Sequence, residues 1–229
     1  MVWFVVYGGL LLGVFTIKFN VNVVRLVGRM ATAETRLDFV DNGAVVLTHA
    51  SEYQPICRWA ATRGFAPVGI VDFFGILGRA RTTTGLWRST QHKTLLISYL
   101  HRNQRIYEFV SALEEGKRLC SSNNVNALSF PDPPWVYIQA FSNTTLDELF
   151  EKHCEGLAYL RDRKGLSAID RPDLTQEFMC ESLRRRAEHI RTLFLWQLRG
   201  PYWFFIRKQL QKNRSIAQRY PGGGGARTP

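Results

Sequence analysis

The sequence predicts an α+β fold in three parts: an N-terminal transmembrane helix, a four- to five-stranded, mainly antiparallel sheet packed by helices, and a long basic C-terminal helical segment. Three observations carry that prediction. Residues 2–17 read VWFVVYGGLLLGVFTI, with no charge. Residues 93–141 hold short apolar runs broken by turn residues, the pattern of paired strands. Residues 145–199 place apolar side chains at helical spacing, with charged residues between them.

The apolar run comes first. Its sixteen residues span about 24 Å as a helix. That is short of a hydrocarbon core of roughly 30 Å. The stretch continues through FNVNVV to Arg25, however, and Lys18 can reach back toward the headgroups. Trp3, Tyr7 and Phe19 stand where interfacial aromatics stand. A cleaved signal peptide would need positive charge before the run, and none precedes it. The small-residue triplet ATA at 31–33 lies too far beyond the run to serve as a cleavage site. A core helix is the remaining competitor. Lys18, Arg25, Arg29 and Arg36 follow the apolar run, which predicts a single-pass membrane protein with its C-terminal domain in the cytoplasm. Cys57, Cys120, Cys154 and Cys180 have no metal or redox spacing and are expected to be free thiols.

Residues 20–38 read as a juxtamembrane helix with Val23, Leu26, Val27 and Met30 as its stripe. Asp41-Asn42-Gly43 signals a turn, and AVVLT at 44–48 reads as a short strand. Ser51 opens a helix over 52–62 that Gly64 closes. A strand follows at 68–74. Gly75, Gly78 and Gly85 read as a loop without the Lys and hydroxyl residue that a phosphate loop needs. KTLLISYLH at 93–101 and RIYEFVSAL at 105–113 read as a hairpin around Asn103-Gln104. In its second strand Ile106, Glu108 and Val110 share one face, and Tyr107, Phe109 and Ser111 the other. KRLCSS and VYIQAF complete the sheet, joined by the proline-rich FPDPPW at 130–135. Thr145 and Glu148 form a capping box ahead of a helix that packs on it. A second helix is predicted over 173–199, started by Pro172 and ended by Gly200-Pro201. Its seam is Phe178, Met179, Leu183, Ala187, Ile190, Phe194 and Leu198.

These elements divide the chain into an anchor (1–24), a juxtamembrane helix and connector (25–50), an α+β soluble domain (51–165), a basic aromatic helical region (166–212) and a flexible tail (213–229). Charge is uneven across the blocks. Residues 161–229 carry fifteen Lys and Arg against six Asp and Glu, a net of +9, whereas residues 1–160 net only +2. Such a field selects anionic lipid, nucleic acid or an acidic protein face as partner.

Three features bear on function. Residues 193–208 combine Trp196, Tyr202, Trp203, Phe204 and Phe205 with Arg199, Arg207 and Lys208. Rings with cationic neighbours suit a membrane interface or a protein partner; packing into the chain's own core is the alternative. Arg184, Arg185, Arg186 and Arg191 are candidates for contact with an anionic surface, against the alternative of a solvated helix face. The third feature is a thin set of catalytic candidates. His153 and Cys154 adjoin in sequence but point about 100° apart on a helix, so His153 reads as a core-boundary residue. No HExxH, GxSxG or GxGxxG pattern occurs, and no cofactor, metal or catalytic site is assigned. The expectation is a non-catalytic membrane-anchored accessory or scaffold protein, a subunit of a larger membrane complex. Its partners would be the lipid bilayer and a protein, with nucleic acid disfavoured. The rivals are a nucleic-acid-binding protein and a membrane-tethered enzyme or ligand-binding module. The module would have a pocket between the 52–62 helix and the sheet, lined by His49, His92 or Tyr107.

Overall fold

A computed structural model of the chain describes residues 2–32, 37–74, 81–101, 104–171 and 176–221. It is an α+β fold in which an N-terminal apolar helix precedes a mixed, mostly antiparallel seven-stranded sheet packed by several helices. The strands lie in sequence order: β1 (Leu37–Phe39), β2 (Ala66–Phe74), β3 (Arg81–Ser89), β4 (Thr94–His101), β5 (Gln104–Ala112), β6 (Arg118–Ser122) and β7 (Val136–Ala140). Every pair is antiparallel except β6 and β7, which run parallel across the proline-rich connection.

Both faces of the sheet are covered. Register puts Trp87, Leu96, Phe109 and Ser111 on one side. There α2 (Gly43–His49), α3 (Gln54–Thr62) and α4 (Leu146–Lys164) close a core of Leu47, Tyr53, Ile56, Phe65, Trp87, Phe109 and Phe150. The opposite side carries Val71, Leu86 and Leu95, which pack with Cys180, Met179 and Leu183 of α5 (Gln176–Thr192). The first helix, α1 (Val2–Ala31), crosses the outside of α5.

Local chemistry explains the best-defined elements. Thr145 accepts from the Glu148 amide and the Glu148 carboxylate accepts from the Thr145 amide, which is the predicted capping box. Gly165 ends α4 at φ 64°, a conformation that costs glycine least. Five of the six predicted strands are present, and the two faces read for β5 are the observed ones.

Several expectations are corrected. Residues 44–48 are helical, not a strand. Their valines face outward, with Val45 57% exposed, while buried Leu47 docks on the sheet. Gly43 approaches so closely that a Cβ there would lie 2.6 Å from the Ile70 amide nitrogen. Packing of this short segment overrides its β-propensity. Strands β1 and β3 were not anticipated. The first has three residues, and the second is buried on both faces from Thr84 to Trp87, so it shows no alternation. Gly85 therefore lies in a strand and not in a loop.

The helix predicted over 20–38 ends at Ala31, and the 25–50 block is not separate at its start, because α1 runs unbroken through it. The stripe of Val23, Val27 and Met30 packs inward on Ala187, Ile190 and Trp203. The long helix over 173–199 is not present as such. It stops at Thr192, and Leu195 turns the chain with φ 50°. Short helical pieces follow at Trp196–Leu198, Tyr202–Arg207, α6 (Lys208–Gln211) and α7 (Ile216–Arg219). Residues 213–221 are not a loose tail: Ile216 is fully buried and its amide donates to the Gln139 side-chain oxygen at 3.0 Å. The ATA triplet's end, Arg36, Gly75, Gly78, Asn103, Pro172 and residues 222–229 lie outside the described residues, as do the side chains of Trp3 and Phe178.

Candidate membrane-facing site

Among the described residues α1 is the one helix long and apolar enough to cross a membrane, over Leu10–Ala31. Only 17% of that window is buried, too little for a core helix. The burial is also one-sided along the axis. Tyr7, Leu10, Leu11, Leu12, Phe15 and Ile17 are each at least half exposed. From Phe19 onward one face docks on the domain, while Lys18 and Arg25 face solvent.

The point where α1 leaves the domain is built by the 193–208 segment. Asn20, buried in α1, accepts a hydrogen bond from the Gly200 amide at 3.1 Å. A Cβ on Gly200 would stand 2.7 Å from that same Asn20 side-chain oxygen and 3.0 Å from Val23, so a larger residue there would have to displace both side chains. Phe19 meets Phe204 edge-on at 5.3 Å and Phe205 at 5.1 Å, and Phe15 reaches Phe205 at 6.2 Å.

The predicted contact residues separate into two sets. Trp203 is 2% exposed and packs against Phe130, and Phe204 is half-buried beside it. Arg207 donates to the carbonyls of Leu128 and Phe130 at 2.7 and 2.8 Å and pairs with Asp132 at 3.0 Å. Lys208 donates to the Asn126 side chain at 3.0 Å, and burial lowers its pKa. These four hold the segment down, and Trp196 is half-buried with them. Arg199, Tyr202 and Phe205 face outward.

The arginine run divides in the same way. Arg184 pairs with Glu181 one turn earlier. Arg185 lies 4.7 Å from the Trp135 ring centre. Arg186 donates to the Ala127 carbonyl at 3.2 Å, and burial lowers its pKa. Arg191 is exposed.

Asp132, within the proline-rich connection, ties these parts together. It takes Arg207, Arg219 and the Tyr220 hydroxyl, the last at 3.0 Å. Its importance was missed because a lone aspartate between prolines reads as loop. The six cations downstream of residue 198 in the described chain, with no acidic residue among them, were the available sign that an upstream carboxylate would be claimed.

His153 lies in the core itself, not at its boundary. Its Nδ1 and Nε2 meet the hydroxyls of Ser121 and Ser111 at 2.8 and 3.0 Å. Gln139 donates to Ser121, and Thr94 bonds Ser111, both at 2.8 Å. Burial pushes the imidazole pKa down to about 3, so it is neutral at ordinary pH. Both ring nitrogens are occupied by hydroxyls in this packed interior, the arrangement of a structural histidine. On the other face Glu108 accepts from Tyr99 and Ser122 at 3.2 and 3.3 Å, and burial raises its pKa.

The space between α3 and the sheet, considered for a pocket, is filled by the aromatic core. His92 stacks there on Phe65 and meets Phe150 edge-on, while His49 is exposed. A cleft beside Arg88, Lys93, Arg118 and Asp170 holds about 20 Å³, room for one water. The four cysteines are free, and no group of three His, Cys, Asp or Glu among the described residues could hold a metal.

The class of protein defined here is a folded α+β domain carrying one helix with the length and composition of a membrane span. Beyond that class the comparisons are silent: the chain matches no protein-family model, no curated protein and no solved structure at a significant level.

Proposed function

We propose that this chain is a non-catalytic, membrane-anchored accessory or scaffold protein, a subunit of a larger membrane complex. One observation carries the reading: a folded domain is clamped to α1 from Phe19 onward, while Leu10, Leu11, Leu12 and Ile17 of the same helix present exposed apolar side chains. Such exposed apolar side chains need lipid, and a rigid clamp transmits the position of the anchor to the domain. Lys18, Arg25 and Arg29 all follow the apolar run, which supports a cytoplasmic domain in a single-pass topology. Arg199, Tyr202 and Phe205 are the outward members of the predicted contact set. Arg191 is the exposed member of the predicted anionic-surface set, and Arg185 also faces out from its place on Trp135.

The test is mild-detergent extraction of the full-length chain from its native membrane, with mass spectrometry of what co-purifies. A stoichiometric second protein is expected. Recovery of a lone, monodisperse chain would remove the subunit role, and release by alkaline carbonate without detergent would remove the anchor.

A further inference from the structure

Outside α1, the exposed large apolar side chains are unevenly spread. Val45, Val46, Val68, Phe74 and Leu100 are scattered over the first hundred residues. Among the described residues the others are all in one short stretch: Phe194 (75% exposed), Leu195, Leu198, Tyr202, Phe205, Ile206 and Leu210. This stretch meets α1 next to the exposed Leu10–Ile17 side chains, through Phe15, Phe19 and the Asn20–Gly200 hydrogen bond. The apolar surface is thus continuous from helix to collar.

Its charge is one-sided. From His189 to Pro221 the chain has seven Lys and Arg and no Asp or Glu. Two of the seven, Arg207 and Arg219, are spent on Asp132. Arg191, Arg199, Lys212 and Arg214 are exposed within or next to this stretch of chain, and Lys18 is exposed on α1 beside Phe19, which packs on Phe204 and Phe205. Apolar side chains rimmed by cations, set beside a helix that enters lipid, match the boundary between acyl chains and anionic headgroups.

We infer that residues 194–210 form a collar that sinks into an anionic leaflet around the exit of α1, so that the domain lies seated on the membrane and does not hang from it. The inference rests on α1 being the anchor. Trp203, Phe204 and Arg207 set the collar's angle from inside, and Phe194, Leu198, Phe205 and Ile206 enter the lipid.

The full-length chain is reconstituted into phosphatidylcholine vesicles with and without phosphatidylserine, each doped with a diazirine-bearing lipid. After irradiation, peptide mapping by mass spectrometry locates the labelled residues. Label is expected on α1 and on 194–210, with the collar signal several-fold higher when phosphatidylserine is present. The double variant Phe194→Ser/Phe205→Ser should lose roughly tenfold of the collar label while keeping that on α1. Both side chains are exposed, so the fold is expected to survive, as a far-ultraviolet spectrum would verify. Label on α1 alone would overturn the collar and leave the anchor standing. Label on the collar alone would overturn the anchor and keep the collar as a surface contact. Label on neither would overturn both. Crosslinks from 194–210 to a second protein chain in place of lipid would overturn the lipid assignment.

Discussion

His153 illustrates how a single side chain is decided by what faces it. Its place on the apolar stripe of α4 was legible, since positions 146, 149, 150, 153, 157 and 160 recur at helical spacing. That Ser111 and Ser121 would meet its two nitrogens was not, because they lie 42 and 32 residues away. The network has a pH signature. The unfolded imidazole titrates near 6.5, and the folded one near 3. Between those values the unfolded chain binds the extra proton. Stability contributed by the neutral ring is therefore complete above about pH 6.5 and is lost as pH falls, by at most about 1.4 kcal/mol per unit. Glu108 acts in the opposite sense: its raised pKa lets the fold keep a proton that the unfolded chain releases, which favours the fold at low pH. In mild detergent, the urea midpoint of the full chain is expected to drop between about pH 7 and about pH 5. His153→Gln should be less stable at the higher pH and change less across the range. An equal drop in both proteins would exclude His153 as the source.

At the scale of elements, the collar depends on its clamp. Asp132, Arg207 and Arg219 have side chains only 13%, 13% and 3% exposed. Removing the carboxylate strands two buried guanidinium groups, a loss of about 3–5 kcal/mol for a pair of this kind. Asp132→Ala should therefore lower the urea midpoint sharply and open residues 194–221 to protease before the rest of the domain. Simultaneous cleavage throughout would show that the clamp does not govern this segment separately. The helix boundaries here were the least legible part of the chain. Phe194 and Leu198 continue the apolar spacing of α5, so the pattern favours one long helix. The chain instead turns at Leu195, which lets Trp203 reach the cluster of Ala187, Ile190 and Val23 and leaves Phe194 and Leu198 outside. Spacing marks a face; it does not say where the partner of that face ends.

At the scale of the molecule, α1 has two kinds of surface: one face from Phe19 onward packs on the domain, and Leu10–Ile17 carry exposed apolar side chains. Burial of Val23, Val27 and Met30 against the domain stabilises it by roughly 1.5–3 kcal/mol for each side chain. Deleting residues 1–14 is expected to preserve the cooperative unfolding transition and a single peak on size exclusion in mild detergent. Deleting residues 1–31 uncovers Ala187, Ile190, Phe130 and Trp203 and should give aggregate. A monodisperse, cooperatively folded protein after the longer deletion would show that the docked half is dispensable.

By itself, the sequence determined the apolar helix, five of the strands, the capped helix α4 and the concentration of positive charge in the last third. Each is a local property, since an uncharged run, an alternation or a capping box is complete within about twenty residues. Tertiary structure alone decided which half of α1 is docked, which aromatics of 193–208 hold and which face out, and that residues 44–48 are helical. These depend on side chains that meet across long separations, as Asn20 meets Gly200 over 180 residues, and pairings at that range leave no periodic mark in the chain.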